Sequence, residues 1–388
     1  MAVSVERAGP YYTGSSSISF SSLRSNFRAQ VKRTSSGGSE SFNSDTSSIS
    51  ASDLLRITST TNTNPIVPNA TENANIVTSQ SNWQISDFRN SIKFYYVILP
   101  SGDTEENFDI DSQSWNSNLN KNVNKIMFID GNCGSNDVTS PAATFNATAH
   151  NFTINVDGNI AAAGGRGGGS SGAPAISGED GGDALSVSTT GNNVVVNVTS
   201  SGKIYGGGGG GEKGVDGDDG SSGSCYESTT KSACKNCPGC DGGWNSGNCW
   251  DGWHCERQQV CGCWGDCWWE STGNTKYREC NRSASVNGGT GGDGGNGRHG
   301  RGYDYLLGSL DAIDGDPGGS KESCPFGSYS TTPTDGDDGK KGGKGGNWAE
   351  AGGNTTNTGS GGAGGDAIIG SGYSVTGSTG SSNIKGSY

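Results

Sequence analysis

The chain has 388 residues, of which 29% are hydrophobic, and it carries a formal net charge of -13 with a pI near 4.7. So small an apolar share argues against one large hydrophobic core, and the acidity is the opposite of a nucleic-acid-binding footprint. The longest apolar run, Phe94 to Leu99, is six residues, far below the roughly 20 that a membrane helix needs, and Met1 to Gly14 lacks the apolar stretch of a secretory signal.

Residues 1–80 are rich in Ser, Thr and Asn. Ile18, Phe20, Leu23 and Phe27 predict one short helix and Ser50 to Arg56 a second; the remainder, through Asn64-Pro65 and Val67-Pro68, reads as extended chain. The first forty residues carry Arg7, Arg24, Arg28, Lys32 and Arg33 against Glu6 and Glu40, a local charge of +3. Such a segment has little core of its own. It is either a solvated basic arm or one that docks on an acidic protein surface.

Residues 81–157 predict a small α+β unit. Ser86 can cap a helix with Phe88, Ile92 and Tyr95 or Tyr96 on one face, and Ser114 a second through Trp115, Leu119 and Val123. Lys125 to Gly131 reads as a strand and turn. His150 to Gly158 alternates strictly, with Phe152, Ile154 and Val156 on one face, and predicts a half-buried strand.

Glycine then takes over. Only seven of the 69 glycines precede Asp157. The rest come in blocks, some with strict period three: Gly288-Gly289-Thr290-Gly291-Gly292-Asp293-Gly294-Gly295-Asn296, Gly342-Gly343-Lys344-Gly345-Gly346-Asn347 and Gly361-Gly362-Ala363-Gly364-Gly365-Asp366. That period fits an extended left-handed helix of three residues per turn whose glycine sides meet other backbones closely. Ten prolines are too few for collagen,. Apolar punctuation at Ile176, Val194 to Val196, Ile204 and Ile368-Ile369 sets the region apart from a flexible linker. Ser186 to Val198 predicts a β-hairpin around Gly191-Asn192, and Ser374 to Ile384 a closing one. Gly181-Gly-Asp-Ala-Leu echoes Gly364-Gly-Asp-Ala-Ile, and Val215-Asp-Gly-Asp-Asp-Gly220 echoes Thr334-Asp-Gly-Asp-Asp-Gly339. The Asp-Gly runs lack a calcium-loop ligand register and read as turns.

Ten of the twelve cysteines fall in one insert: Cys225, Cys234, Cys237, Cys240, Cys249, Cys255, Cys261, Cys263, Cys267 and Cys280. An even count with glycine-rich flanks favours disulfides; the Cys-x2-Cys steps and His254 keep zinc open as the alternative. Cys133 and Cys324 are either free thiols or a long-range bond. Six of the nine tryptophans, Trp244, Trp250, Trp253, Trp264, Trp268 and Trp269, lie in the same insert. They form either a self-packed mini-core or an exposed binding surface, since rigid aromatic faces give contact area at low entropic cost. Arg298, His299, Arg301 and Tyr303 make a second candidate contact loop. Nothing in the chain forms a catalytic motif or asks for a cofactor or resident metal.

The Gly-Gly-X blocks with intervening loops resemble the glycine-rich adhesins at the tips of T-even-type phage tail fibres, where a sandwich of polyglycine II helices presents variable loops to a host receptor. Ile18 to Arg24, Ser86 to Lys93 and Asn151 to Gly158 resemble glycine-rich virion proteins of marine cyanophages. The resemblance covers most of the chain in style, and the Cys/Trp insert departs from it. It implies a non-enzymatic virion protein, assembled in the host cytoplasm and working outside the cell, which reconciles many cysteines with no visible export signal.

The expected fold is mixed: a virion-docking arm (1–80), a small α+β connector (81–157), a polyglycine II-type slab with β-hairpin caps (158–224 and 287–388) and a Cys/Trp-rich insert (225–286). The expected partners are other tail or fibre proteins through residues 1–80 and a host receptor, a glycan or an outer-membrane protein, with neither nucleic acid nor membrane insertion. A homotrimer is compatible with three-fold fibres, although no heptad or triple-helical repeat fixes it. A purely structural virion component and a secreted cellular matrix protein are the alternatives.

Overall fold

The structure is a computed structural model. It describes residues 54–59, 67–79, 84, 87–88, 93–113, 115, 117–170, 174–190, 194–228, 282–304 and 308–388, and the backbone alone of residues 85–86, 229–232 and 275–281 and of the strands Val5–Glu6, Gln30–Lys32, Ser41–Asn43, His254–Cys255 and Cys267–Thr272. The chain divides into two compact units. Unit 1 comprises residues 1–213, 296–313 and 342–388; unit 2 comprises 214–295 and 314–341. Among the described residues the regular structure is almost all strand, with only short 3-10 turns as helix, and no helix is long and apolar enough to cross a membrane.

Unit 1 is built on a coil of parallel strands. Its first sheet stacks Phe94–Leu99, Asn124–Ile129, Phe152–Val156, Val194–Val198 and Tyr373–Gly377, with Val5–Glu6 antiparallel at one edge. The second stacks Thr104–Glu106, Asn132–Gly134, Asn159–Ala161, Lys203–Tyr205 and Ile384–Lys385. The third stacks Phe108–Asp109, Ala143–Phe145, Leu185–Ser188 and Ile368–Ser371. The chain visits the sheets in the same order on each circuit, as in a parallel β-helix.

The alternation of each strand explains the stacking. Val97, Met127, Ile154 and Val196 align across the first sheet and are fully buried, as are Ile129, Val156 and Val198 in the next row. Phe145 stacks on Phe152 at 4.3 Å, and Trp115 meets Phe152 edge-on at 4.9 Å. Corners between the first and second sheets repeat as Ile129-Asp-Gly-Asn132 and Val156-Asp-Gly-Asn159, in register at an offset of 27 residues from Ile129 to Val156. A Cβ on Gly158 would overlap the carbonyl oxygen of Gly131, so this corner admits only glycine.

The glycine region is inserted at one corner of this coil. Between the second and third sheets the first circuit spends only Asn107, the second Ser135 to Ala142, the third residues 162–184 and the fourth residues 206–367. The longest insertion contains all of unit 2 in sequence.

Three expectations are corrected here. The α+β connector lacks its helices. The stretch from Ser86 gives a 3-10 turn at Ile85–Phe88 and then the strand Phe94–Leu99, because aromatic and β-branched residues pack on both sides of the sheet. Beyond Trp115, turns replace the second helix; Ser114 lies outside the described residues. Asn118 and Asn122 are buried there as hydrogen-bonding posts for Ile57, Ser59 and Thr71: Asn118 Oδ1 accepts the Thr71 N–H at 2.9 Å, and Asn122 Nδ2 donates to the carbonyls of Ile57 and Ser59, both at 2.6 Å. The flanking strands of the expected β-hairpin caps do not pair with each other, and Gly191-Asn192 lies outside the described residues. Leu185–Ser188 and Val194–Val198 belong to different sheets and each pairs in parallel with other circuits; the same holds for Tyr373–Gly377 and Ile384–Lys385. In the N-terminal arm, Arg56 lies in a strand paired with Val67–Pro68 rather than in a helix, and residues 18–27 lie outside the described residues.

Candidate receptor-binding surfaces

The glycine segments carry neither helix nor strand, yet their backbones are bonded at steps of three. In unit 2, Gly214, Gly217 and Gly220 donate to the carbonyls of Gly295, Gly292 and Gly289 at 2.7–2.8 Å. Gly289, Gly292 and Gly295 donate to Thr334, Asp337 and Lys340, and Asp337 and Lys340 donate back to Asp218 and Val215. In unit 1, Gly208 and Gly211 donate to Arg301 and Arg298, which donate to Gly346 and Gly343.

The first and last aspartates of the repeated runs share one task. Asp216 Oδ1 accepts the N–H of Gly294 at 2.7 Å, and Asp219 that of Gly291 at 2.8 Å. Asp335 accepts from Lys321 and Asp338 from Gly318, at 2.8 and 2.9 Å. In unit 1, Asp180 and Asp183 do the same for Ala363 and Asp366. Every pair is three residues apart, so successive carboxylates meet successive donors of the neighbouring segment that no carbonyl reaches. The Lys321 backbone bond holds the Asp335 carboxyl below the usual range.

Unit 2 also carries an antiparallel sheet. Its long strands Gly223–Ser232 and Thr275–Val286 pair with each other; Ser328–Thr331 flanks the first, while Cys267–Thr272 and His254–Cys255 pair with the second. Cys225 is fully buried and bonded to Cys324, a bridge spanning 99 residues. Arg282 pairs with Glu227 at 2.7 Å and lies over the Phe326 ring at 4.0 Å. Residues 324–326 thus strap one face at the base of the ribbon. The expectation that Cys225 pairs inside the insert is corrected: its partner is Cys324, one of the two cysteines outside the cluster. The other, Cys133, is a free thiol buried in the unit 1 core, and burial raises its pKa.

Of the insert residues singled out in the sequence, Trp268, Trp269 and Cys267 lie in the strand paired to Thr275–Val286, Cys280 lies in that longer strand, and Cys255 lies in the short flanking strand. Trp244, Trp250, Trp253, Trp264, Cys234, Cys237, Cys240, Cys249, Cys261 and Cys263 lie outside the described residues. The contact loop is half-buried at Arg298, His299, Arg301 and Tyr303. Arg298 Nε donates to Asp311 O at 2.9 Å. The Tyr303 ring rests on Gly134, leaving no room there for a side chain, and burial raises its phenol pKa.

Unit 1 adds a cleft absent from the sequence expectations. It has a volume of about 510 Å³ and is bordered by Asp111, Gln113, Ser117, Asn120 and Thr148. Asp111 Oδ2 accepts the Asn146 N–H at 2.8 Å, and burial raises the carboxyl pKa. Its residues come from separate turns, and no spacing in the sequence announces them.

Comparison with known proteins completes the picture. The family model for the phage tail fibre adhesin Gp38 matches residues 93–305. A chain in the crystal structure of the gp37-gp38 adhesin tip complex of the bacteriophage S16 long tail fiber is similar at 18% identity, with a TM-score of 0.33, over 80% of this chain and 88% of that one. No curated protein matches the chain. Because the family match spans more than half of the sequence, the chain belongs to the phage tail fibre adhesin family Gp38.

Proposed function

We propose that this adhesin is the receptor-contacting part of its fibre and that its glycine segments form a polyglycine II-type slab built for display. The observation that carries the slab is the triangle in unit 2. Segments 214–220, 289–295 and 334–340 are each bonded to both of the others at three-residue steps. A pleated strand has its two partners in one plane, whereas a helix of three residues per turn directs its bonds around its axis.

Such a slab offers few side chains, so recognition falls to what it carries: the Cys/Trp insert of 225–286, including Trp268 and Trp269, and the loop of Arg298, His299, Arg301 and Tyr303. Residues 1–80, with their basic start, hold the protein on another tail-fibre protein, and residues 81–157 connect. The partner on the host is a surface glycan or outer-membrane protein, engaged at several weak sites that add through avidity. The test is a phage deleted for this gene. Its particles should assemble with fibres and fail to adsorb until the purified protein is restored; normal adsorption would make the protein a structural joint.

A further inference from the structure

The antiparallel sheet of unit 2 has two unlike faces at its base. Alternation places Cys225, Glu227, Arg282 and Ala284 on one. That face is closed by the disulfide to Cys324, the Glu227–Arg282 ion pair and the Phe326 ring. The opposite face carries Tyr226, which stands directly between Ser283 on one neighbouring strand and Ser328 on the other. Tyr226 is 43% exposed and, with Tyr388, is one of two exposed large apolar side chains among the described residues. Ser224, Ser228 and Ser285 extend the row, and the Ser224 hydroxyl meets that of Ser330 at 2.7 Å. No described side chain on this face is charged.

We propose that this face is a saccharide-binding surface. The inference rests on the adhesin function and names one ligand class and one place for it. An exposed aromatic ring on a sheet can offer its face to the C–H side of a sugar ring. The surrounding hydroxyls both donate and accept, as sugar hydroxyls do. An anionic lipid surface would ask for Lys or Arg, and a protein partner for an extended apolar centre; the described side chains here supply neither. The strap on the opposite face fixes the sheet before binding, which lowers the ordering cost.

The test uses full-length protein and the cells on which the phage grows, either intact, oxidised with periodate to open sugar diols, or treated with proteinase K. Binding should fall about tenfold or more after periodate and persist after protease. Tyr226→Ala should cost about tenfold on intact cells, and Tyr226→Phe should bind like the wild type. The exposed position makes either variant compatible with folding, which the melting curve checks. Wild-type affinity in Tyr226→Ala, or loss of binding after protease but not periodate, would overturn the saccharide face and leave the adhesin function standing. Failure of the wild-type protein to bind intact cells would instead remove the adhesin function, and the saccharide face with it.

Discussion

Asp216 accepts the backbone N–H of Gly294 at 2.7 Å, and three residues on Asp219 accepts that of Gly291 at 2.8 Å. A glycine segment at the edge of a bonded array has donors with no neighbouring carbonyl, and a row of carboxylates at the same three-residue step satisfies them. Replacing Asp216 and Asp219 together by Ala should therefore leave two backbone donors to water and lower the melting temperature by about 2–4 °C. Differential scanning calorimetry measures this. An unchanged curve would mean the two bonds contribute nothing.

One carboxylate of this kind, Asp335, gives a pH dependence. The Asp335 carboxyl is held below its ordinary value by the Lys321 bonds. Its contribution is present above the unfolded-state value near 3.9 and is lost as pH falls through the lower folded value. Lys125 adds a second window, at higher pH, with the same sign. It is buried in the unit 1 core, with Nζ donating to Lys121 O and Val123 O at 2.8 and 2.6 Å, and burial lowers its pKa to about 7. The unfolded chain then binds more protons between about pH 7 and pH 10.5, so stability rises with pH across that window. Lys125→Met should abolish this rise. Its melting temperature minus that of the wild type should decrease by a few degrees between pH 7 and pH 10; a constant difference contradicts the assignment.

Gly292 tests the close approach of backbones. A Cβ there would overlap the carbonyl oxygen of Asp316 and crowd Pro317, both of them main chain that cannot turn aside. Gly292→Val should prevent unit 2 from folding, seen as insoluble or protease-sensitive protein. Gly380→Ala, whose nearest neighbour is Ser382 Oγ at 3.9 Å, should behave like the wild type.

The Cys225–Cys324 bridge closes a span of 99 residues. For a loop of that size, chain entropy alone gives about 4.7 kcal/mol. The double change Cys225→Ser with Cys324→Ser should expose residues 225–286 to trypsin at low protease and leave unit 1 resistant. Equal digestion rates would show that the strap is dispensable.

The sequence shows its chemistry more plainly than its topology. The alternation of Phe152, Ile154 and Val156 predicts a half-buried strand, and the strand forms at Phe152–Val156. The period-three glycine blocks predict close backbone packing, and a side chain at Gly292 has no space. The helices predicted from Phe88, Ile92 and Tyr95 and from Trp115, Leu119 and Val123 fail. Spacings of three and four also arise by chance where a strand is apolar on both faces or where turns place single anchors. The decisive signal was the recurrence of Asp-Gly-Asn at 130–132 and 157–159, one corner per circuit of a parallel coil. Taken singly, each reads as a strand ending in a turn. The Cys225–Cys324 partnership is not legible, because cysteine spacing says nothing about which distant segment returns to the ribbon. The Tyr226 face shows only once register sets Ser283 and Ser328 beside it.

The central claim is that host recognition centres on the ribbon and insert of unit 2. Adsorption of phage bearing Trp268→Ala with Trp269→Ala, compared with wild type at equal particle count, tests it most directly. The account predicts an adsorption rate lowered about tenfold or more, with particles assembled in normal yield. An unchanged rate, or particles that fail to assemble, would contradict it.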